Sequence, residues 1–191
     1  MTADHSMTAD HLRLLRSGDN AAWEIFYDQL APELRAYIAR LGARDPDDVL
    51  GETLMQIVRD INTFPGSAPE VRAWSFRIAH NRVIDASRRR KSRPSEVAID
   101  DSLDSLPALD PLTEIPDTET VSRLLQGLTP DQRSVVWLRY VADLTLDETA
   151  VVVGKAPEAV AALTYRALAS LRRSLDQSSG EQSEEIWQRP S

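Results

Sequence analysis

The chain has 191 residues, 42% of them hydrophobic and 27% charged, with a net charge of −8, so it is neither collagen-like nor disordered and does not coat nucleic acid with its whole surface. No apolar run approaches the roughly 20 residues of a membrane span, and the acidic N-terminus differs from a secretory signal, so we expect no membrane association and a cytoplasmic location. The absence of cysteine and the three scattered histidines exclude disulfides and thiolate zinc sites and predict no metal or cofactor.

Apolar residues recur three and four positions apart along both halves of the chain, which predicts helices and an all-α fold. In the N-terminal half we expect helices over residues 10–16, between Asp19 and Gly42, after Asp45-Pro46 and over residues 69–90, with a loop at residues 64–69. Asp19 and Asp45 are suited to cap the helices that follow them.

The fourth predicted helix has apolar residues on two nearly opposite faces, with Val71 and Ile78 on one face and Phe76 and Val83 on the other. One face suits the core, and the other either contacts another helix or presents an aromatic group to a partner. The helix closes with a basic run, and residues 70–93 hold eight basic and two acidic residues. The helix dipole can use few of these charges, so a phosphate-binding patch is favoured over capping alone.

Residues 94–120 contain eight acidic residues, four prolines and no basic residue, and they show no helical apolar period. This composition predicts an acidic, semi-extended linker. The linker divides the chain into two lobes, residues 12–93 and 121–175. Residues 176–191 are polar and are predicted to form a disordered tail.

The C-terminal lobe has the pattern of a helix-turn-helix unit. Thr129 and Thr145 are suited to cap two helices, Gly154 makes a tight turn, and Pro157 starts a last helix. The inward stripe of that last helix is predicted to be Val160, Thr164, Ala167 and Leu171. Any small three-helix bundle is the alternative, but the combination of cap, turn and proline favours nucleic-acid recognition.

Taken together, the motifs resemble the extracytoplasmic-function class of bacterial RNA polymerase sigma factors. Residues 14–27, 45–60 and 72–85 are similar to region two of that family, and residues 128–141 and 144–171 are similar to its region four. The resemblance implies a promoter-specificity subunit that is not an enzyme, has no catalytic residue, and binds core RNA polymerase and promoter DNA. An anti-sigma factor is left open as a further partner, with no residue assigned to it.

In the family, the helix that matches residues 48–59 docks on the clamp helices of the largest polymerase subunit. The polymerase-binding residues that the resemblance implies are Asp48, Glu52, Thr53 and Gln56. Alternatively, the acidic residues Asp48 and Glu52 only stabilise the start of the helix and interact with solvent. The family usually has glutamine at Gly51, so this helix lacks a polar contact and about 1 kcal/mol of helix propensity.

The resemblance further implies that the fourth helix and its preceding loop open and read the minus-ten element. The residues implied are Phe64, Gly66, Ser67, Arg77, Asn81, Arg82, Arg88, Arg89, Arg90 and Lys91. Their types suit this role, because planar groups stack on unpaired bases and cations hold the phosphate backbone. The loop at Gly66-Ser67 is the expected wall of a pocket for a flipped base. Trp74 is assigned to the core, whereas Phe64 either contacts a base or fills the edge of the lobe.

The minus-thirty-five element would be read in the major groove by the last helix. The residues implied are Lys155, Glu158, Ala161, Tyr165 and Arg166. The family commonly has lysine and arginine where this chain has Ala161, Leu163 and Leu168, so base readout should be weaker than usual. Leu163 and Leu168 are expected to pack rather than to touch DNA.

The linker is long enough for two promoter elements. They lie about 25 base pairs, or roughly 85 Å, apart, and the 27 residues of the linker reach at most about 90 Å when extended. Its carboxylates would either thread the nucleic-acid channel of the polymerase or form a solvated tether.

Two other classes of function are alternatives to a sigma factor. The first is a helix-turn-helix transcriptional regulator that acts without being a polymerase subunit, for which residues 121–175 alone would suffice. The second is a metal enzyme built on the acidic residues Asp45, Asp47, Asp48 and Glu52, which is disfavoured because no histidine or second acidic cluster is near them.

Overall fold

The computed structural model describes the backbone of residues 7–92 and 127–187 and the side chains of residues 7–90 and 127–175. Within these ranges the chain forms helices and no strand, which confirms the all-α prediction. The helices are α1 (Ala9–Ser17), α2 (Asn20–Arg40), α3 (Pro46–Asp60), α4 (Glu70–Ser92), α5 (Pro130–Tyr140), α6 (Leu146–Val153) and α7 (Pro157–Trp187). None of the described helices is long and apolar enough to cross a membrane. The predicted acidic linker, residues 94–120, lies outside the described residues.

The helices begin at side chains that satisfy their free N–H groups, as the sequence predicts. Asp19 accepts from the N–H of Ala22, and Thr129 and Thr145 each form a capping box with the residue three positions on. Gly154 ends α6 with a φ of 63°, in the left-handed region where glycine is favoured. Gly154 therefore forms the short turn between α6 and α7.

Both apolar faces of α4 are buried. Val71 and Phe76 have no exposed surface, and Ile78 and Val83 are 7% exposed. The helix contacts α2, α3 and α6. The second face therefore packs against another helix, which is the first of the two alternatives that its sequence left open.

The two lobes meet at a surface that we call the seam, formed by α2 and α4 of the N-terminal lobe and by α5, α6 and the turn between them. Residues of the C-terminal lobe share one apolar cluster with the N-terminal core, and they are Leu138, Ala142, Leu144 and Val152. A smaller cluster of Val135, Ala150 and Val160 holds α5, α6 and α7 together. The seam thus continues the N-terminal core into the C-terminal lobe.

Helix α7 continues to Trp187, beyond residue 175 where the lobe was predicted to end. Most of the segment predicted as a disordered tail is therefore helical in its backbone. The extension is rich in glutamate and glutamine, which are good helix formers, and Gly180 is its weakest position. The prediction of disorder for residues 176–191 rested on their polar composition.

Candidate nucleic-acid and polymerase interface

The outer side of α4 presents a polar surface that we call the α4 strip, formed by Arg77, Asn81 and Arg88. All three side chains are exposed. Arg88 Nη1 lies 3.7 Å from the carboxylate of Asp85, and this pair is largely in solvent, where such contacts contribute little. Arg90 is also exposed, and the side chain of Lys91 lies outside the described part of the chain. The strip is open to a ligand that carries phosphates and base edges.

The loop before α4 is built over the ring of Phe64. That ring is 8% exposed and lies 4.8 Å from the ring of Trp74, between centroids. A Cβ added at Gly66 would lie 2.4 Å from the tip of the Phe64 ring, so a larger residue at this position would force the ring to shift. Of the two alternatives for Phe64, the structure shows the edge-filling one, and the surface of the loop is left to Gly66 and Ser67. Trp74 is half-buried, in line with its assignment to the core.

Two charged side chains hold this loop from either end. Glu70 accepts hydrogen bonds from the backbone N–H and the hydroxyl of Ser67, at 2.8 and 2.7 Å, and these bonds lower the pKa of its carboxyl. Arg16 of α1 donates to the carbonyl of Phe64 at 2.6 Å and to that of Ile61 at 3.3 Å. Sequence reasoning gave Arg16 no role, because its partners lie more than forty residues away in the chain.

The residues predicted to bind polymerase are not all available on α3. Asp48 is exposed, Glu52 and Gln56 are half-buried, and Thr53 has no exposed surface. The hydroxyl of Thr53 donates to the carbonyl of Val49 at 2.7 Å, so this side chain belongs to the core and cannot meet a partner in this structure. A polar residue on a helix gives no sequence signal for this kind of burial.

Two apolar side chains of α3 that the sequence prediction left out are strongly exposed. Met55 is 62% exposed and Val58 is 54% exposed. Gly51 has open space around it, and a Cβ at this position would meet nothing within 4 Å. Helix α3 therefore offers apolar surface next to the acidic residue Asp48.

Arg82 connects the two predicted sites. Its Nε donates to the side-chain oxygen of Gln56 at 2.9 Å, and its Nη1 lies 3.4 Å from Glu52. Arg89 Nη2 lies 3.7 Å from the same carboxylate. Two cations predicted for DNA thus face two residues predicted for polymerase.

The predicted inward stripe of α7 is fully buried at Val160 and Ala167 and half-buried at Thr164 and Leu171. On the other side of α7, Tyr165 is 76% exposed and Ala161 is exposed as well. Glu158 and Arg166 are exposed, and Lys155 Nζ lies 3.0 Å from the carboxylate of Asp131.

The prediction that Leu163 and Leu168 both pack is half right. Leu163 packs on the cluster of α5, α6 and α7. Leu168 is 42% exposed, so its predicted packing is wrong. It lies three residues after Tyr165, on the exposed side of α7.

The Sigma-70 region 2 family model matches residues 26–93, and the model for Sigma-70, region 4 matches residues 118–171. The chain is also 31% identical over 169 residues to the ECF RNA polymerase sigma factor SigF of Caulobacter vibrioides, covering 85% of this chain and 90% of that protein. This chain belongs to the extracytoplasmic-function sigma factors. It is 29% identical over 179 residues to the ECF RNA polymerase sigma factor BldN of Streptomyces coelicolor, covering 91% of this chain and 67% of that protein.

The fold of this sigma factor is similar to that of the sigma factor RpoE from Bartonella quintana, solved in complex with the anti-sigma factor NepR. The TM-score is 0.62 at 22% identity, and the match covers 81% of this chain and 96% of that chain. Region 2 of this sigma factor takes in α3, α4 and most of α2, and region 4 takes in α5, α6 and the first half of α7. Helix α1, which carries Arg16, precedes the region 2 match.

Proposed function

We propose that this sigma factor binds core RNA polymerase and directs it to promoters, with α4 and the loop before it reading the minus-ten element and α7 reading the minus-thirty-five element. The observation that carries the proposal is the exposed α4 strip, which follows a loop bonded to Arg16 and Glu70 in a chain that matches both sigma regions. Core polymerase works in the cytoplasm, so this is the compartment that we propose.

At the minus-ten element, the α4 strip supplies the groups that an opened strand needs. The guanidinium groups of Arg77 and Arg88 suit phosphates, and the amide of Asn81 can both donate to and accept from a base edge. The Gly66-Ser67 surface forms a wall for an unstacked base, while Phe64 holds that wall from beneath. Here Phe64 acts by support rather than by stacking on DNA.

Polymerase docks on α3 in this proposal. Asp48, Met55 and Val58 provide an exposed surface with an apolar part and a charged part, which is the usual composition of a protein interface. Glu52 and Gln56 lie beside it and are held by Arg82. Thr53 contributes through the stability of α3.

At the minus-thirty-five element, α7 enters the major groove with few cations. Glu158 can accept from the amine of a cytosine, and Arg166 can contact a phosphate or a guanine. Lys155 reaches DNA only after it leaves Asp131. Readout there is weak, so the minus-ten element and polymerase carry most of the specificity.

An anti-sigma factor is part of the proposal as a partner. The support is the fold-level similarity to a sigma factor that was solved bound to one. No residue of this chain is assigned to that contact.

Transcription in vitro from a random promoter library, with core polymerase and the full chain, tests the proposal. We expect promoter-specific transcripts with polymerase and weak binding of duplex DNA by the free protein, because a chain of net charge −8 gains little from phosphate neutralisation. Tight, sequence-specific binding without polymerase would favour the helix-turn-helix regulator instead and overturn the proposal.

A further inference from the structure

We propose that Arg16 of α1 is a positioning residue for minus-ten recognition, an inference that rests on the proposed function. Its guanidinium donates to the carbonyl of Phe64 at 2.6 Å through Nη2 and to that of Ile61 at 3.3 Å through Nε. Ile61 is the C-cap residue that follows α3, and Phe64 is the residue that supports the reading loop. One side chain from outside the region 2 match therefore fixes the start of the loop.

Packing around the Phe64 ring couples the position of this residue to the rest of the loop. The Phe64 ring lies so close to Gly66 that even a Cβ there would meet it at 2.4 Å, and the other side of the ring packs on Trp74. A shift of the Phe64 backbone therefore displaces the Gly66-Ser67 surface. The planar fork of arginine holds two carbonyls at once, whereas a lysine ammonium is a single point charge on a flexible stem.

The test is the variant Arg16→Lys, in the full chain with core polymerase, assayed on a promoter library randomised across the minus-ten element. We expect discrimination among bases in that element to fall by about two- to tenfold, the range for one hydrogen bond. Preference at the minus-thirty-five element and affinity for polymerase should not change. The matched control is Arg13→Lys on the same helix, since Arg13 forms an exposed pair with Asp10.

The variant Asn81→Ala distinguishes failure of the role proposed for Arg16 from failure of the proposed function. If Asn81→Ala changes base preference and Arg16→Lys does not, the role of Arg16 is overturned while the proposed function stands. A uniform loss of transcription from all library members by Arg16→Lys would also overturn it, since a merely structural role gives that result. If neither variant changes base preference, the proposed minus-ten site fails and Arg16 fails with it.

Discussion

Arg82 Nε on α4 donates to the side-chain oxygen of Gln56 on α3 across 2.9 Å. The same guanidinium lies 3.4 Å from Glu52, a carboxylate that also faces Arg89 at 3.7 Å. Helices that we propose for strand opening and for polymerase docking are therefore joined by polar contacts. A change at Glu52 should affect both activities.

The first prediction concerns Glu52→Gln. Glu52→Gln removes the carboxylate that faces the guanidinium groups of Arg82 and Arg89. The salt dependence of promoter binding should therefore steepen by about 0.7 to 0.9 for each additional phosphate that the protein neutralises. Folding stability should change by less than about 1 kcal/mol, because the ion pairs are partly exposed. Filter binding of the polymerase complex over a salt series measures the slope. Asp10→Asn is the control, and an equal slope in both variants would contradict the prediction.

The second prediction concerns the basic run at the end of α4. Joint replacement of Arg88, Arg89, Arg90 and Lys91 by alanine should weaken the promoter complex. The salt slope should flatten by up to about 0.7 to 0.9 for each phosphate that the variant no longer neutralises. The control replaces Arg13 and Arg44, exposed cations outside α4, by alanine. A slope that stays at the wild-type value would mean that the run only caps the helix.

The third prediction compares two neighbours on α7. Val160→Asp places a charge without a partner at a fully buried position and should cost several kcal/mol of stability. Ala161→Lys changes an exposed position, so it should be nearly neutral for folding and should strengthen contact with the minus-thirty-five element. Thermal melts of the full chain and footprints of the polymerase complex measure the two effects. Equal loss of stability in both variants would show that the recognition face is misplaced.

The fourth prediction is a pH dependence centred on His80. Its ring is 7% exposed, and its Nδ1 lies 2.8 Å from the hydroxyl of Tyr37. Burial lowers the pKa of His80 below the ordinary 6.5, while Asp131 raises it and Lys155 lowers it to a smaller extent. Burial also raises the pKa of Tyr37, which stays protonated.

Because the unfolded chain binds a proton at His80 more readily than the folded chain, stability should be highest above pH 6.5 and fall as the pH drops below it. The slope is at most about 1.4 kcal/mol per pH unit for one proton. The lowered pKa values of Asp47 and Glu70 act in a separate window, below their ordinary values of 3.8 and 4.5. Urea unfolding between pH 7 and pH 5 measures the effect. The same slope in His80→Gln would rule out His80 as its source.

Local signals in the sequence predicted the helices well, and tertiary contacts account for most of the differences. Asp19, Thr129 and Thr145 act within one turn of the backbone, so their caps can be read from residue type and spacing. The burial of Phe64 and Thr53 depends on neighbours that spacing does not reveal. The two apolar faces of α4 predicted a second contact, but its partner α6 lies in the other lobe.

The seam was beyond sequence reasoning for a related reason. Two of its polar members, Arg40 and Arg133, are of a type that is almost always found at the surface. Nothing in their spacing distinguishes them from solvated cations, whereas their burial follows from the two lobes meeting, where Arg133 donates to the carbonyl of Arg40. The docking surface on α3 was found in part, since Asp48 is exposed and Met55 and Val58 were missed.

The contact between Gly66 and the Phe64 ring has a consequence for how this protein can evolve. Because a Cβ at position 66 would lie 2.4 Å from the ring, a larger residue at Gly66 forces the Phe64 ring to shift, and that ring already packs on Trp74. A larger residue at position 66 should therefore be tolerated better when position 64 carries a smaller one. The two positions should vary together among descendants of this sequence.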